Sequence, residues 1–189
     1  VSIFVNPVQF NNPDDLKRYP RTVEADCRLL EDAGTTIVFI PSVEDIYPEP
    51  DNREFDLGGL DSAGEGPRRP GHFNGVAKVV TRLFDLTKPS YAFFGEKDFQ
   101  QLAIIKYFTR KLGYPLEIIP CPIFREEDGL AMSSRNRLLN PEQRKAAPAI
   151  FKALSNAARL AGQRELTPVE LIDVTTKEIN KSNQLNTEY

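Results

Sequence analysis

Four short stretches gather the side chains with chemical reach. FGEKDFQQL, residues 94–102, sets Gly95, Glu96, Lys97 and Asp98 between an apolar run and the mouth of a helical pattern. Glycine lets a backbone approach a ligand closely, and helix-terminal amides beside a lysine favour phosphate. A unit-charge contact at 4 Å is worth about 1 kcal/mol in bulk water and about 4 kcal/mol at an effective dielectric of 20, so Lys97 matters in a crevice and little outside one. Asp98 reads equally as a ligand contact or as a helix cap whose box Gln101 completes. The stripe Leu102, Ile105, Phe108 and Leu112 turns the face of Gln101 towards a sheet, where a carboxamide needs a polar partner. Glu96 reads as a solvated loop charge.

The other three stretches are polar loops with a purpose to be decided. DGLAMSSRN, residues 128–136, places Ser133, Ser134 and Arg135 in a row. Hydroxyls, backbone amides and a planar guanidinium suit a polyphosphate, although the string alone fits an ordinary loop and Met132 alone fits a core. In NPVQF, residues 6–10, Asn6 and Gln9 follow an apolar run and could hold a neutral or carboxylate-bearing substrate. Asn6 reads equally as an Asx turn before Pro7. In RRPGHFNGV, residues 68–76, Arg69 and His72 stand just ahead of a helix, where a lone histidine is commonly a cap or hydrogen-bond partner.

Composition narrows the partners. The 189 residues, 40% apolar and 27% charged, suit one ordinary domain or one domain with part of a second. A formal charge of −3 argues against bulk attraction to nucleic acid. Basic residues are placed locally instead, at Arg68, Arg69, Lys97, Arg125, Arg135 and Arg137, which suits a small anion. Cys27 and Cys121 form no metal-ligand pattern, and with a single histidine a zinc site is not expected. They read as buried reduced thiols, in keeping with a cytoplasmic location. No apolar run approaches the roughly 18 residues that span a membrane, and no secretory leader is visible.

The elements that must position these residues alternate. Residues 1–5 and 35–40 read as buried strands, and 22–33 as a helix stopped by Gly34. Ser42 with Asp45 opens a short helix. Residues 47–72, rich in Pro, Gly and charge, form a long connection of the functional or mobile kind. Val76, Val79, Val80, Leu83 and Phe84 recur at helical spacing. A third strand ends at Gly95, a helix runs from Asp98 to about Gly113, and residues 115–123 form a fourth strand. This β-α-β-α-β-α-β order implies a parallel sheet covered on both faces. Ligands then collect beyond the carboxyl ends of the strands, bringing Asn6, Gln9, Lys97 and Arg125 to one rim. A boundary falls near residue 123, after which Asn140-Pro141 and Thr167-Pro168-Val169-Glu170 open helices. Both ends of the chain look cut from a longer polypeptide.

Taken together and in order, SIFVNPVQF, YPRT, RPGHFNGVAKVV, FGEKDFQQL and REEDGLAMSSRN closely resemble the pantothenate synthetase family. The resemblance implies an α/β fold, a Rossmann-like parallel sheet of the HIGH-type nucleotidyltransferase superfamily. It divides the chain into a nucleotide- and pantoate-binding domain over 1–123 and part of a smaller carboxyl-terminal lid domain over 124–189. The implied reaction uses Mg-ATP, with ATP and Mg2+ as cofactors, to join pantoate to β-alanine through pantoyl adenylate. Gly95, Glu96, Lys97, Asp98, Phe124, Met132, Ser133, Ser134 and Arg135 are implied ATP contacts, Lys97 being the catalytic one. The MSSR loop is similar to the mobile phosphate loop of class I aminoacyl-tRNA synthetases. Gln9 and Gln101 match the residues that hold pantoate, while Asn6, Arg69 and His72 border the site. A cytoplasmic homodimer without nucleic-acid or membrane partners is implied as well. The family's HxGH segment is expected upstream of Val1, so these 189 residues alone are expected to be inactive. A nucleotidyltransferase of the same fold and an inactive nucleotide-binding module are the competing readings.

Overall fold

The computed structural model describes residues 1–163 and 166–188. The chain divides into two compact units, Val1–Pro122 and Ile123–Tyr189.

In the first unit, helices α1 (Pro13–Arg18), α2 (Val23–Asp32), α3 (Val43–Ile46) and α4 (His72–Thr87) precede strand β1 (Tyr91–Gly95). Helix α5 (Phe99–Lys111) then crosses to strand β2 (Glu117–Cys121). The two strands pair in parallel from Tyr91 with Glu117 to Gly95 with Cys121. Phe73, Val76, Val80 and Phe84 of α4 meet Ile104, Ile105 and Phe108 of α5 in the core, and Ala92, Phe94 and Ile118 of the strands pack against it. Burying such side chains is worth about 1.5–3 kcal/mol each. Their 3.6-residue spacing is what makes α4 and α5 helices with one apolar face.

Several expectations need correction at this level. Leu102, Ile105 and Phe108 are buried with Ile104 beside them, but Leu112 is half exposed because it is the C-cap residue, beyond the last helical position, Lys111. Tyr91 and Phe93 stay exposed, so β1 is packed on one face only among the described residues. Residues 1–5 and 35–40 run parallel, joined by a bond from the Val1 amine to the Ile37 carbonyl at 2.8 Å and by the isolated Ser2–Phe39 bridge. That bridge is made by Ile3 N–H to the Phe39 carbonyl at 2.9 Å and Phe39 N–H to the Val1 carbonyl at 2.8 Å. An isolated two-stranded pairing has too few bonds to propagate into a regular ladder. The loop after residue 5 holds a 3-10 turn, Pro7–Gln9, and then α1, capped by Asn12 with Pro13 at its first position.

The long connection between α3 and α4 is anchored rather than loose. Asn74 of α4 accepts from Phe55 N–H at 3.0 Å and donates to the Arg53 carbonyl at 3.2 Å. Lys111 of α5 pairs with Asp56. Cys27 and Cys121 are free thiols, only partly buried.

In the second unit, residues 124–132 form a tight hairpin. Met132 N–H donates to the Phe124 carbonyl at 2.9 Å and Glu126 N–H to the Leu130 carbonyl at 2.8 Å. Helices α6 (Pro141–Ala146), α7 (Pro148–Gln163) and α8 (Pro168–Ile179) follow, with α7 packed on α8. Reciprocal capping boxes, Asn140 with Gln143 and Thr167 with Glu170, start α6 and α8 as their sequences predict. No helix among the described residues is long and apolar enough to cross a membrane.

Candidate functional site

Asn6, Gln9 and His72 converge where the start of α4 packs on the 3-10 turn. Gly75 makes this possible: a Cβ there would lie 2.8 Å from the Val8 carbonyl oxygen and 3.0 Å from Gln9 Cα. Asn6 is only 3% exposed, and its carboxamide is fully used. Its Nδ2 donates to the Gly75 carbonyl at 3.1 Å and to Gln9 Oε1 at 3.2 Å. Its Oδ1 accepts from Val8 N–H at 3.3 Å and from the Tyr47 hydroxyl at 3.0 Å. The Asx-turn reading of Asn6 is the one the structure bears out: its carboxamide shapes the turn and fixes Gln9, and with every donor and acceptor used it holds no substrate directly. Burial, with Asp51 nearby, pushes the Tyr47 phenol up to about 12, so it remains a donor at neutral pH.

His72 is 5% exposed, and its Nδ1 lies 2.9 Å from the Gln9 carbonyl oxygen. A carbonyl can only accept, so Nδ1 carries the proton and the neutral ring keeps Nε2 as an acceptor. Burial holds its pKa below 6.5 despite that bond, and the Arg69 charge lowers it further; Glu65 and Asp98 oppose both. His72, Arg69, Glu65 and Asp98 thus share one electrostatic neighbourhood. Arg69 Nη1 donates to Glu65 Oε2 at 2.7 Å, with both side chains about one-third exposed.

The Gly95–Asp98 segment behaves differently from a simple cap. Asp98 occupies the N-cap position of α5 without a capping bond, and Gln101 closes no box. The carboxylate instead accepts from Lys97 Nζ at 3.3 Å. Gly95 has φ −72, which any residue adopts, and nothing lies within 4 Å of where its Cβ would be. The space above it is open. Glu96 is exposed. Gln101 is half-buried, and its carboxamide has no partner among the described residues.

In the second unit, Phe124 is 78% exposed and Met132 52%. Ser133 Oγ accepts from Arg135 N–H at 3.3 Å and so caps the 3-10 helix Ser134–Leu138. Arg125 is committed to the hairpin: its guanidinium lies 3.9 Å from the Phe151 ring centre and donates to the Gly129 carbonyl at 3.1 Å. That engagement assigns it a structural part in its own unit.

Three site-shaping residues escaped the sequence reading. Tyr47 sits in a proline-rich stretch with no flanking signal. Glu65 stands four residues before Arg69, a spacing that could have been read as an ion pair. Gln100, beside the more conspicuous Gln101, donates through Nε2 to the Leu60 and Ala63 carbonyls, both at 2.8 Å. Its Oε1 accepts from Glu65 N–H at 3.1 Å. A separate cleft of about 370 Å³, lined by Tyr47, Glu49, Asp51, Arg53 and Arg82 among others, has balanced charge and its Arg53 is already bound to Asp51.

The Pantoate-beta-alanine ligase family model matches residues 1–189. A pantothenate synthetase of Bacteroides thetaiotaomicron is 54% identical over 170 residues, 90% of this chain and 60% of the relative. One from Porphyromonas gingivalis is 51% identical over 188 residues, covering 100% and 66% respectively. The chain therefore spans roughly three-fifths to two-thirds of these curated relatives. A pantothenate synthetase structure from Thermus thermophilus superposes with a TM-score of 0.93 at 45% identity, over 100% of this chain and 68% of that one. A Francisella tularensis pantoate-beta-alanine ligase, complexed with beta-gamma ATP and beta-alanine, gives a TM-score of 0.81 at 36% identity, over 95% of this chain and 66% of that one. These likenesses establish the Rossmann-like α/β class.

Proposed function

From the premise that this chain belongs to the pantoate-beta-alanine ligase family, we propose that its protein condenses pantoate with β-alanine at the expense of ATP. A carboxylate resists amine attack because it is anionic and has no good leaving group. In the proposed first step a pantoate carboxylate oxygen attacks the α-phosphorus of ATP and pyrophosphate leaves. In the second, the β-alanine nitrogen attacks the acyl carbon, AMP departs with the transferred oxygen, and the amine gives up a proton. Donors fixed in advance lower both barriers by meeting the developing charge.

The observation that carries the proposal is the arrangement around Gln9. Its Oε1 is held by Asn6 and its carbonyl by His72, which leaves the Gln9 amide hydrogens without a partner among the described residues. Gln101 offers a second such carboxamide. These two would grip pantoate, with Asn6, Arg69 and His72 bordering it. Gly95 to Asp98, together with Phe124 and Met132 to Arg135, would contact ATP, and Lys97 would neutralise phosphate charge in the step that forms the adenylate. Mg2+ would enter on the nucleotide, since it takes its ligands largely from phosphates and water with one or two carboxylates. The chain's donors suit that mode: no group of three or more His, Cys, Asp or Glu among the described residues forms a metal cage. A cytoplasmic homodimer completes the proposal, on family resemblance.

The test is turnover by the purified full-length protein. Sustained release of AMP and pyrophosphate should need pantoate, Mg-ATP and β-alanine together, with about one equivalent of pyrophosphate per site, and no AMP, formed when β-alanine is left out. Nucleotide transfer to an acceptor with no need for β-alanine would favour a nucleotidyltransferase. Nucleotide binding without turnover would favour a non-catalytic module.

A further inference from the structure

The geometry points to Gln100 as a positioning residue that sets the Arg69 guanidinium against the anionic substrate. The segment ahead of α4 is a run of tight turns. Gly66 N–H reaches the Ala63 carbonyl at 3.2 Å, Arg69 N–H the Glu65 carbonyl at 2.9 Å, and His72 N–H the Arg69 carbonyl at 3.0 Å. Turns of this kind carry few apolar anchors and owe their place to bonds from outside. Gln100, in the first turn of α5, supplies three: to Leu60, Ala63 and Glu65. Its amide can point only one way, because the flipped group would set its oxygen against two carbonyls and its NH2 against an N–H. The fit is close on the other side as well. Gly64 has φ +58, and a Cβ there would lie 2.7 Å from Gln100 Oε1.

The clamp has a consequence one residue further along. Glu65, whose N–H Gln100 holds, binds Arg69 Nη1 through its carboxylate. An ion pair this exposed adds little to stability. Its value is orientation: it fixes one edge of the guanidinium and leaves Nε and Nη2 without a partner among the described residues. Arg69 also lies within the electrostatic reach of His72. Gln100 therefore acts at one remove, through Glu65, on a fork of donors suited to a carboxylate. This rests on the pantoate-ligating reading and assigns Arg69 to the carboxylate of the acid substrate.

Near-isosteric Gln100→Glu removes both amide donors and sets a carboxylate against two carbonyls. In the full-length enzyme it should raise the pantoate KM about tenfold and leave the ATP KM within about twofold. In an Arg69→Ala background the same change should cost less than about twofold, since groups acting through one another are not additive. Gly64→Ala disturbs the clamp from the loop side and should show the same coupling, which keeps the test available if Gln100→Glu folds poorly. Equal costs in both backgrounds, or equal rises in both KM values, would overturn the inference while leaving the ligase reading intact. An unmutated protein without β-alanine-dependent turnover would overturn that reading and this use of Arg69 with it. Hydrogen exchange at the Glu65 amide reports on the clamp without the reaction. It should speed up at least about tenfold in Gln100→Ala, and unchanged exchange would overturn the clamp itself.

Discussion

His72 shows how one side chain ties the fold to pH. Burial favours its neutral form, so its pKa in the folded chain lies below 6.5, the ordinary value. Between those two values the unfolded chain binds more protons than the folded one. Stability from this group is therefore complete above about pH 6.5 and is lost as pH falls through the folded value. Compared with His72→Gln, the unmutated protein should lose urea stability progressively below pH 6.5; parallel pH profiles for the two would contradict this account. Lys97 is the opposite kind of residue. Its side chain is 41% exposed and its ion pair with Asp98 spans 3.3 Å, so Lys97→Ala should leave the circular dichroism spectrum and melting temperature nearly unchanged. Single-turnover formation of pantoyl adenylate should nevertheless fall by about 10²–10³, the usual cost of removing one preorganised donor to a developing charge. Unchanged adenylate formation would remove Lys97 from the proposed chemistry.

At the scale of elements, the site depends on α4 seating against the Pro7–Gln9 turn. Gly75→Ala would press a methyl group against the Val8 carbonyl and Gln9 Cα, neither of which is a flexible side chain. Overpacking of this sort costs about 1–3 kcal/mol, and denaturant titration should show it, together with a raised pantoate KM as Gln9 is pushed aside. A loss of stability with an unchanged KM would mean that the turn does not position substrate. The same elements show what the sequence made legible. Helix α4 is plain from Val76, Val79, Val80 and Phe84, and β1 and β2 from their short apolar runs, because local periodicity decides them. Residues 1–5 and 35–40 have strand composition, yet their pairing stops at one bridge, since a ladder is a non-local property of both partners. The Asn12-Pro13 signal of α1 was readable but lay hidden among the polar and proline residues of its loop. Gln100 was invisible next to Gln101: both sit in the same helical turn, and only the fold tells which of them faces the 60–65 turns.

The whole molecule is two units whose combined length matches one family. The proposed site was read as a set of motifs, because Lys97, the Ser133-Ser134-Arg135 run, Gln9 and Gln101 each lie in a distinctive string. Their supports were not, because Tyr47, Glu65 and Gln100 act through tertiary contacts that leave no periodic trace. The central claim concerns the bond made to the nucleotide, and an isotope follows it most directly. Pantoate labelled with ¹⁸O in its carboxylate is supplied to the full-length protein with Mg-ATP and β-alanine, and the released nucleotide is weighed by mass spectrometry. Attack on the α-phosphorus requires one ¹⁸O atom in AMP. Unlabelled AMP, or ADP with the label in inorganic phosphate, would contradict the proposed reaction.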